Sequence, residues 1–331
     1  MTKNRRGEAM IRPFKVKEET FGEKINRLVK ELFAKEEPDH EQLSELVFAI
    51  IARFCHRLPP PSGPGRRPTY SNETILKIDM LMHLTGKRGE TEILRHIKRY
   101  YNRHFDKLPD QSRLWHRLRQ TLPLIEQFRQ YLLHLLNANM EEVRILDTCP
   151  IPVALSNSRP QQGNGFDLAD GGYCASKKLS FFGFKLGLVI TPQGIPEHFE
   201  LFPARPHDVT LLRELLDPFS EIIALGDKGF IDDDEAFWLD EDQDVTLITY
   251  RRSNQHQQNS SLQQWILRQH RQLIETIFSM LDSHMHLQHT GAKTDWGLFK
   301  RIAGIMTAFT FAIYLNFLLG RSLLNIKPLL A

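Results

Sequence analysis

Residues 143–147 read Val-Arg-Ile-Leu-Asp, a short and mostly apolar run that ends in a carboxylate. Before this run, residues 20–140 show helical periodicity and no alternation typical of strands. After it, short apolar runs alternate with helical segments, beginning with a hairpin predicted for residues 181–202. The change predicts an α+β protein, in which an all-helical region, residues 1–140, precedes a mixed α/β domain, residues 141–325.

A second apolar run, Ile222-Ile223-Ala224-Leu225-Gly226, is followed directly by Asp227. Asp147 and Asp227 are therefore both expected at the carboxyl ends of core strands, where open α/β sheets bind ligands. If the two strands are neighbours, the carboxylates lie within a few ångströms of each other, and such a pair is costly without a cation. Carboxylate oxygens are ligands that suit Mg²⁺ or Mn²⁺.

A third carboxylate, Glu275, lies on a long helix predicted for residues 261–287. On a helical wheel, Arg268, Arg271 and Glu275 fall within about 60° of one another. Three carboxylates predict a site for two divalent ions, in which one ion activates the attacking oxygen and the other stabilises the leaving oxygen. The two arginines are candidates to hold a phosphate.

Each of these signals also has an ordinary structural explanation. An aspartate at the end of a strand can cap a turn, and Arg271 and Glu275 have the spacing of a common i,i+4 helix pair. Two strand-end aspartates followed by a helical glutamate in one mixed α/β domain are a less common combination. From the residues alone, a metal-dependent nuclease or transferase and a purely structural arrangement both remain open.

The formal net charge is +3, but it is distributed unevenly along the chain. Residues 1–140 carry a net charge of +9, and the remaining residues carry −6. This asymmetry indicates that the front region meets a polyanion, while the rest of the chain concentrates carboxylates.

Basic and aromatic residues are interleaved around a turn at Leu108-Pro109-Asp110, in an arrangement that resembles a helix-turn-helix. Ser112 to Gln120 is the candidate recognition helix, and phosphate contacts from this surface would supply most of the salt-dependent affinity. The alternative is a solvated helical surface with Trp115 in the core. The basic candidates for DNA contact are Lys98, Arg99, Arg113, Arg117 and Arg119.

Several other features narrow the class of protein. Three cysteines without a CxxC spacing argue against a structural zinc site and fit a reducing cytoplasm. Residues 304–320 carry no charge, but they are shorter than the roughly 20 residues of a membrane span, so a buried helix is expected. Residues 156–180 are polar and Gly-rich, which predicts a long loop. No GxxxxGK[ST] loop occurs, so ATP is not expected.

The segments around the three carboxylates resemble DDE transposases of bacterial insertion sequences, which have an RNase H-like core. Ile145-Leu146-Asp147-Thr148 is similar to the segment of the first catalytic aspartate, and Leu225-Gly226-Asp227-Lys228-Gly229-Phe230 to that of the second. Arg271-x3-Glu275-Thr276-x-Phe278 matches the glutamate helix, and Arg205-Pro206-His207-Asp208 looks like the segment after the third strand. The resemblance is greatest to the group called insertion-sequence family nine-eight-two.

The resemblance implies that Asp147, Asp227 and Glu275 bind two divalent ions, Mg²⁺ or Mn²⁺. It implies cleavage and joining of DNA strands at the ends of the protein's own mobile element. DNA is then the partner, and we expect a homodimer, a cytoplasmic location and no membrane association. The rivals are an RNase H-like structure-selective nuclease, which cleaves without joining, and a DNA-binding descendant that has lost catalysis.

The wider transposase signature, Tyr-x2-Arg-x3-Glu-x6-Lys, is matched only in part. Its Arg and Glu fall on Arg271 and Glu275, whereas its Tyr position holds Arg268 and its Lys position holds Asp282. The departure concerns the contacts to the cleaved phosphate and not the metal site. The candidates to supply the missing positive charge are Arg268, Lys228 and Lys293.

Overall fold

The computed structural model describes residues 20–33, 40–59, 68–154, 165–174, 178–251 and 258–329. As predicted, the described residues before the sheet are helical. The helices are α1 (Phe21–Leu32), α2 (His40–Arg57), α3 (Asn72–Leu84), α4 (Glu90–Tyr100), α5 (Gln111–Arg119) and α6 (Leu122–Leu135). Helix α3 begins where the sequence predicts, because the Ser71 side chain accepts a hydrogen bond from the Thr74 N–H in the first turn.

A six-stranded sheet and four more helices follow, so the predicted α+β class is confirmed. The strands are β1 (Val143–Ala154), β2 (Asp170–Cys174), β3 (Leu179–Ile190), β4 (Pro196–Pro203), β5 (Ile222–Gly226) and β6 (Val245–Thr249). The helices are α7 (Leu212–Leu216), α8 (Asp233–Gln243), α9 (Ser261–Met285) and α10 (Asp295–Leu318).

The sheet is mixed, with the order β2-β3-β1-β5-β6, and β4 pairs with the second half of β3. β1 is antiparallel to β3 and parallel to β5, and β5 is parallel to β6. One hydrophobic cluster, which includes α9 and α10, covers one face of the sheet, and a second cluster with α7 and α8 covers the other. Four leading strands, β1 to β4, that are joined by antiparallel pairing and followed by the parallel strands β5 and β6 fit the predicted RNase H-like domain.

Two strands differ from the sequence prediction. β1 does not end at Asp147 but continues to Ala154, because its second half pairs with β3. β2 lies within residues 156–180, for which a loop is predicted; its two glycines are accommodated because it pairs along the first half of β3. The extension of β1 depends on β3, which lies far along the chain, and local patterns do not indicate such pairing. β2 pairs with the next strand, β3, but its polar, Gly-rich sequence carries no strand pattern.

Helix α10 lies at the centre of the larger cluster. It packs against α3 and α6 of the helical region as well as α9 and β4, and this cluster extends from Ile25 to Leu329. Among the described helices it is long and apolar enough to cross a membrane, but 83% of its most apolar stretch is buried inside the protein. The expected buried helix is therefore confirmed. The division into two domains at residue 140 stays a prediction, since both regions contribute to this cluster.

A buried ion cluster joins α3 to α10. The Lys300 ammonium contacts Asp79 Oδ1, and His83 Nε2 lies 3.6 Å from the same oxygen. Burial acts to raise the pKa of Asp79, but Lys300 and His83 together outweigh it and lower the pKa to about 2. Gly304 lies against the His83 ring, where a Cβ would collide with the imidazole. This glycine therefore allows the two helices to approach each other.

We expect Lys300→Met to lower the free energy of unfolding by about 3–5 kcal/mol, because the Asp79 carboxylate then loses its counter-charge in the core. Urea unfolding at pH 7 measures the change. The exposed Lys293, just before the same helix, provides the matched control Lys293→Met, which should shift stability by no more than about 0.5 kcal/mol.

The contribution of Asp79 to the free energy of unfolding should decrease at low pH. Because the folded pKa of Asp79 is lowered, its contribution to stability is present above the unfolded pKa of about 4 and is lost as the pH falls toward 2. The difference in the free energy of unfolding between wild type and Lys300→Met should therefore become smaller as the pH falls from about 4 toward 2. Equal stability of the two proteins at pH 7 would contradict a stabilising role for the ion pair.

Candidate active site

The parallel pairing of β1 and β5 brings the two aspartates together. Ile145 pairs with Leu225, and two residues further along each strand direction come Asp147 and Asp227, which line one small cavity. Asp227 follows β5 directly, as predicted. Asp147 lies inside β1, where the strand has left β5 but still pairs with β3 at Leu188. The prediction that Asp147 ends its strand is therefore wrong, although the predicted proximity of the two carboxylates is observed.

Asp147 stands in an environment that disfavours its negative charge. Its pKa is raised to about 7, first by burial and then by the neighbouring carboxylates of Asp227 and Asp208. The Thr148 N–H, which donates to Asp147 Oδ1 at 2.8 Å, and the nearby Arg271 act in the opposite direction. This carboxyl group therefore keeps its proton to a higher pH than an ordinary aspartate does.

Arg271 connects two of the three predicted carboxylates. Its Nη1 donates to Asp227 Oδ1 at 3.2 Å, and its Nε donates to Glu275 Oε1 at 2.9 Å. The ordinary i,i+4 pair on α9 therefore exists, but the same guanidinium also reaches the end of β5. A planar group with five N–H donors can make both contacts at once. The structure thus brings Asp147, Asp227, Glu275 and Arg271 to one place.

Within the described residues, no three His, Cys, Asp or Glu side chains converge as a metal-binding group in this arrangement. Glu275 is held by Arg271 instead. The residues nevertheless fit a divalent cation. Asp147 and Asp227 offer adjacent hard oxygen ligands. Burial and then the neighbouring carboxylates raise the pKa of Asp147, and a cation at this place would favour its charged form.

The cavity around the aspartates also contains side chains that the sequence analysis missed. Tyr250 and His270 line it together with Asp147, Asp227 and Arg271. Tyr250 directly follows β6, so its position at the end of a strand parallel to β5 was a usable signal. His270 precedes Arg271 on α9, and burial lowers the pKa of its ring, which is therefore neutral near pH 7.

An ion pair between Lys185 and Asp208 supports the turn after Asp227. Lys185 Nζ lies 2.9 Å from Asp208 Oδ1 and donates to the Pro206 carbonyl at 2.7 Å. Asp208 packs against Gly229, where a Cβ would lie only 3.0 Å from Asp208 Oδ2. The sequence pattern drew attention to Asp208 but gave no signal for Lys185, because their contact depends on how β3 and β4 pair.

The residues considered for the cleaved phosphate have different environments. Arg268 is exposed on α9, Lys228 is exposed after β5, and Lys293 is exposed before α10. Asp282, at the position where the signature has Lys, has a structural role: its Oδ1 accepts the Gln288 N–H at 2.9 Å and closes the turn after α9.

The front-region candidates lie on α4 and α5, and none of them lines the carboxylate cavity. Arg117 is partly buried and donates to Asn72 Oδ1 at 2.8 Å, so it has a structural contact. Trp115 is exposed and the Arg119 guanidinium lies 4.8 Å from its ring, so Trp115 does not enter the core. The exposed candidates are Lys98, Arg99, Arg113 and Arg119.

We expect Asp147→Asn to raise the free energy of unfolding of the metal-free protein by about 2 kcal/mol at pH 8 and by much less at pH 5. The value at pH 8 includes screening of the charge by solvent. The folded pKa of Asp147 lies above its unfolded value. The contribution of Asp147 to the free energy of unfolding is therefore fully present below about pH 4 and is lost as the pH rises through about 7. Asparagine stays neutral over the whole range and does not lose its contribution.

Urea unfolding in the presence of a chelator, at both pH values, measures this difference. Asp242→Asn is the matched control, because Asp242 is an exposed aspartate on α8; its effect should be small at both pH values. A gain from Asp147→Asn that is equal at pH 5 and pH 8 would rule out the buried negative charge as its cause.

Comparison with known proteins gives the family. The Transposase DDE domain family matches residues 139–311, which is just over half of the 331-residue chain. The solved structure titled Mos1 transposase paired-end complex with left transposon end aligns with 81% of this chain and 94% of that chain, at 12% identity and a TM-score of 0.21. A likeness at that score carries no weight for fold or function. No curated protein matches the chain. From the family match over residues 139–311, which contains the carboxylate site, the chain belongs to the Transposase DDE domain family.

Proposed function

We propose that this protein is a transposase that cleaves phosphodiester bonds at the ends of an insertion sequence and joins the freed 3′-hydroxyl to target DNA. The observation that carries the proposal is the placement of Asp147 and Asp227 side by side on parallel strands, with Arg271 and Glu275 beside them. This placement occurs inside the segment that matches the transposase family.

In the proposed reaction, Asp147, Asp227 and Glu275 hold two divalent ions, Mg²⁺ or Mn²⁺. The bound ions supply the Lewis acidity that activates the attacking oxygen and stabilises the leaving oxygen. The carboxyl group of Asp147 carries a proton below about pH 7 and must lose it to act as a ligand, so ion binding is expected to strengthen with pH.

The cationic side chains around the carboxylates have a separate task. Arg271 is exposed on one side, and its remaining N–H donors can bind a phosphate oxygen of the DNA strand. Arg268 on the same helix, Lys228 after Asp227 and Lys293 before α10 are exposed, and they are the candidates to supply the charge that the wider signature has in its Tyr and Lys positions. These groups orient the scissile phosphate toward the carboxylates.

The proposed transposase has a separate DNA-binding region in front of its catalytic domain. Residues 1–140 form the DNA-binding region, with Lys98, Arg99, Arg113, Arg117 and Arg119 as phosphate contacts, and residues 141–325 form the catalytic domain. Arg117 is partly buried and its guanidinium also donates to Asn72 and Gln120, so its phosphate contact would be made beside these hydrogen bonds. The substrates are the terminal inverted repeats of the element and the target DNA. We propose a homodimer that acts in the cytoplasm without a membrane partner.

We expect Asp227→Asn to lower the rate of metal-dependent DNA cleavage by about a thousandfold, because the site then loses a charged ligand of the ions. The assay uses a plasmid that carries the DNA flanking the gene on both sides, with Mg²⁺ or Mn²⁺. Asp242→Asn, on the exposed side of α8, is the matched control and should retain the wild-type rate. Full activity of Asp227→Asn would show that the site assignment is wrong.

The products of the same assay separate the proposed function from its rivals. A joined product, in which the freed 3′ end is linked to target DNA, supports a transposase. Cleavage without joining supports a structure-selective nuclease, and tight DNA binding without cleavage in either metal supports a descendant that has lost catalysis.

Arg271→Gln is expected to have opposite effects on ion binding and on cleavage. It removes the cation that competes for Asp227 and Glu275, so the affinity for Mn²⁺ should rise about fivefold, the range of an exposed ion pair. Cleavage at saturating Mn²⁺ should fall by about tenfold or more, because a phosphate contact is lost.

Isothermal titration with Mn²⁺ and single-turnover cleavage measure the two effects of Arg271→Gln. The matched control is Arg213→Gln, which breaks an ion pair of the same kind with Glu235. It should change neither quantity. Weaker Mn²⁺ binding by Arg271→Gln would contradict the competition between the guanidinium and the ions.

A further inference from the structure

A second, larger cleft lies beside the carboxylate site. It has a volume of about 580 Å³ and is open to solvent. Its walls are formed by β2, by the first half of β3 and by the segment after β4. Its lining includes Gly171, Tyr173, Lys185, Arg205 and His207.

The cleft is connected to the catalytic carboxylates through one ion pair. Lys185 lines the cleft, and its ammonium group binds Asp208 at 2.9 Å. Asp208 in turn packs against Gly229, two residues after Asp227, and it lies close enough to Asp147 to raise the pKa of that carboxyl group. A chain molecule in the carboxylate site that extends past Asp208 would therefore enter this cleft.

The cleft offers an aromatic surface. Tyr173 lies on β2, at the end of the sheet order, and its side chain is 62% exposed. The neighbouring Gly171 leaves open space, since a Cβ there would meet no atom within 4 Å. A large exposed aromatic ring beside an open backbone surface is suited to stacking of a planar group such as a nucleobase.

The cleft also offers donors for an anion. Arg205 is 69% exposed at the cleft, where its Nε lies 3.1 Å from Asp170 Oδ2, and its other N–H groups can bind a further acceptor. His207 adds a ring nitrogen at the same wall. An exposed ring together with a guanidinium is the combination that binds single-stranded nucleic acid, by stacking the bases and contacting the phosphates. An acidic peptide would use the cations but would not need the ring.

We infer that this cleft binds an unpaired nucleotide of the DNA strand that is being cut, with its base on Tyr173 and its phosphate on Arg205 and His207. The inference rests on the proposed function, because the strand must already lie across the carboxylates. It assigns a DNA contact to the edge of the sheet, separate from the basic surface of the helical region.

Binding of a short single-stranded oligonucleotide tests the inference. The probe is a fluorescent run of about eight thymidines, short enough for one site, measured by anisotropy in a chelator so that no cleavage occurs. Tyr173→Ala should weaken binding by about 5- to 50-fold, and Tyr173→Phe should restore it, because the ring is retained. With an abasic probe of the same length, Tyr173→Ala and wild type should bind equally.

Removal of the Arg205 guanidinium should affect oligonucleotide binding in a different way from removal of the Tyr173 ring. Arg205→Gln should weaken the thymidine and abasic probes to a similar degree and lower the slope of log affinity against log salt by about 1. The matched controls are Phe237→Ala, on an exposed ring of α8, and Arg27→Gln, on an exposed arginine of α1. Both should bind like wild type.

Two kinds of failure are distinguishable. If the wild type cleaves DNA while Tyr173→Ala and Arg205→Gln bind the probe normally, the cleft inference is overturned and the proposed function stands. The same holds if the loss in Tyr173→Ala persists with the abasic probe, since stacking is then not its cause. If the wild type neither binds nor cleaves any DNA, the proposed function itself is overturned.

Discussion

Repulsion between carboxylates at the junction of β1 and β5 is the constraint around which this site is built. Parallel pairing places Asp147 beside Asp227, and Asp208 adds a third negative charge nearby. Such a group of charges is stable only with protons or counter-cations. Asp208 has Lys185 and Asp227 has Arg271, whereas burial, together with the neighbouring carboxylates, raises the pKa of Asp147 to about 7. Asp208 and Asp227 therefore each have a cationic partner in an ion pair, whereas Asp147 has a raised pKa.

The hydrophobic core keeps these charges in place. Helix α10 runs through the larger cluster and contacts both the front helices and the sheet side of the molecule, and the Asp79–Lys300 pair fixes it to α3. Separating α3 from α10 would leave an uncompensated charge in the core, which is strongly unfavourable. The front helices and the strands that carry the carboxylates are thereby held in a defined relation.

Much of the fold, but less of the site, could be predicted from the sequence. Local signals sufficed for Ser71 at the start of α3, for Asp227 after β5 and for the buried α10, because each depends on neighbours in the chain. The position of Asp147 within β1 depends on β3, some forty residues away in sequence, and so was missed. Lys185 was missed for the same physical reason, since its contact with Asp208 forms only when β3 and β4 pair. Tyr250, by contrast, directly follows a predicted strand, so a local signal for it existed.

The two counter-cations of the site differ in how readily they can leave. Lys185 is only 17% exposed and is also tied to the Pro206 carbonyl, so it is a fixed part of the structure. Arg271 is 48% exposed on the outer side of α9, and its two contacts are of the kind that contributes little in water. The displaceable cation covers Asp227 and Glu275, two of the carboxylates proposed as ligands, whereas the fixed one covers Asp208. A divalent ion bound as proposed would therefore replace the contacts of a single half-exposed side chain and leave the ion pair that supports the turn after Asp227 in place.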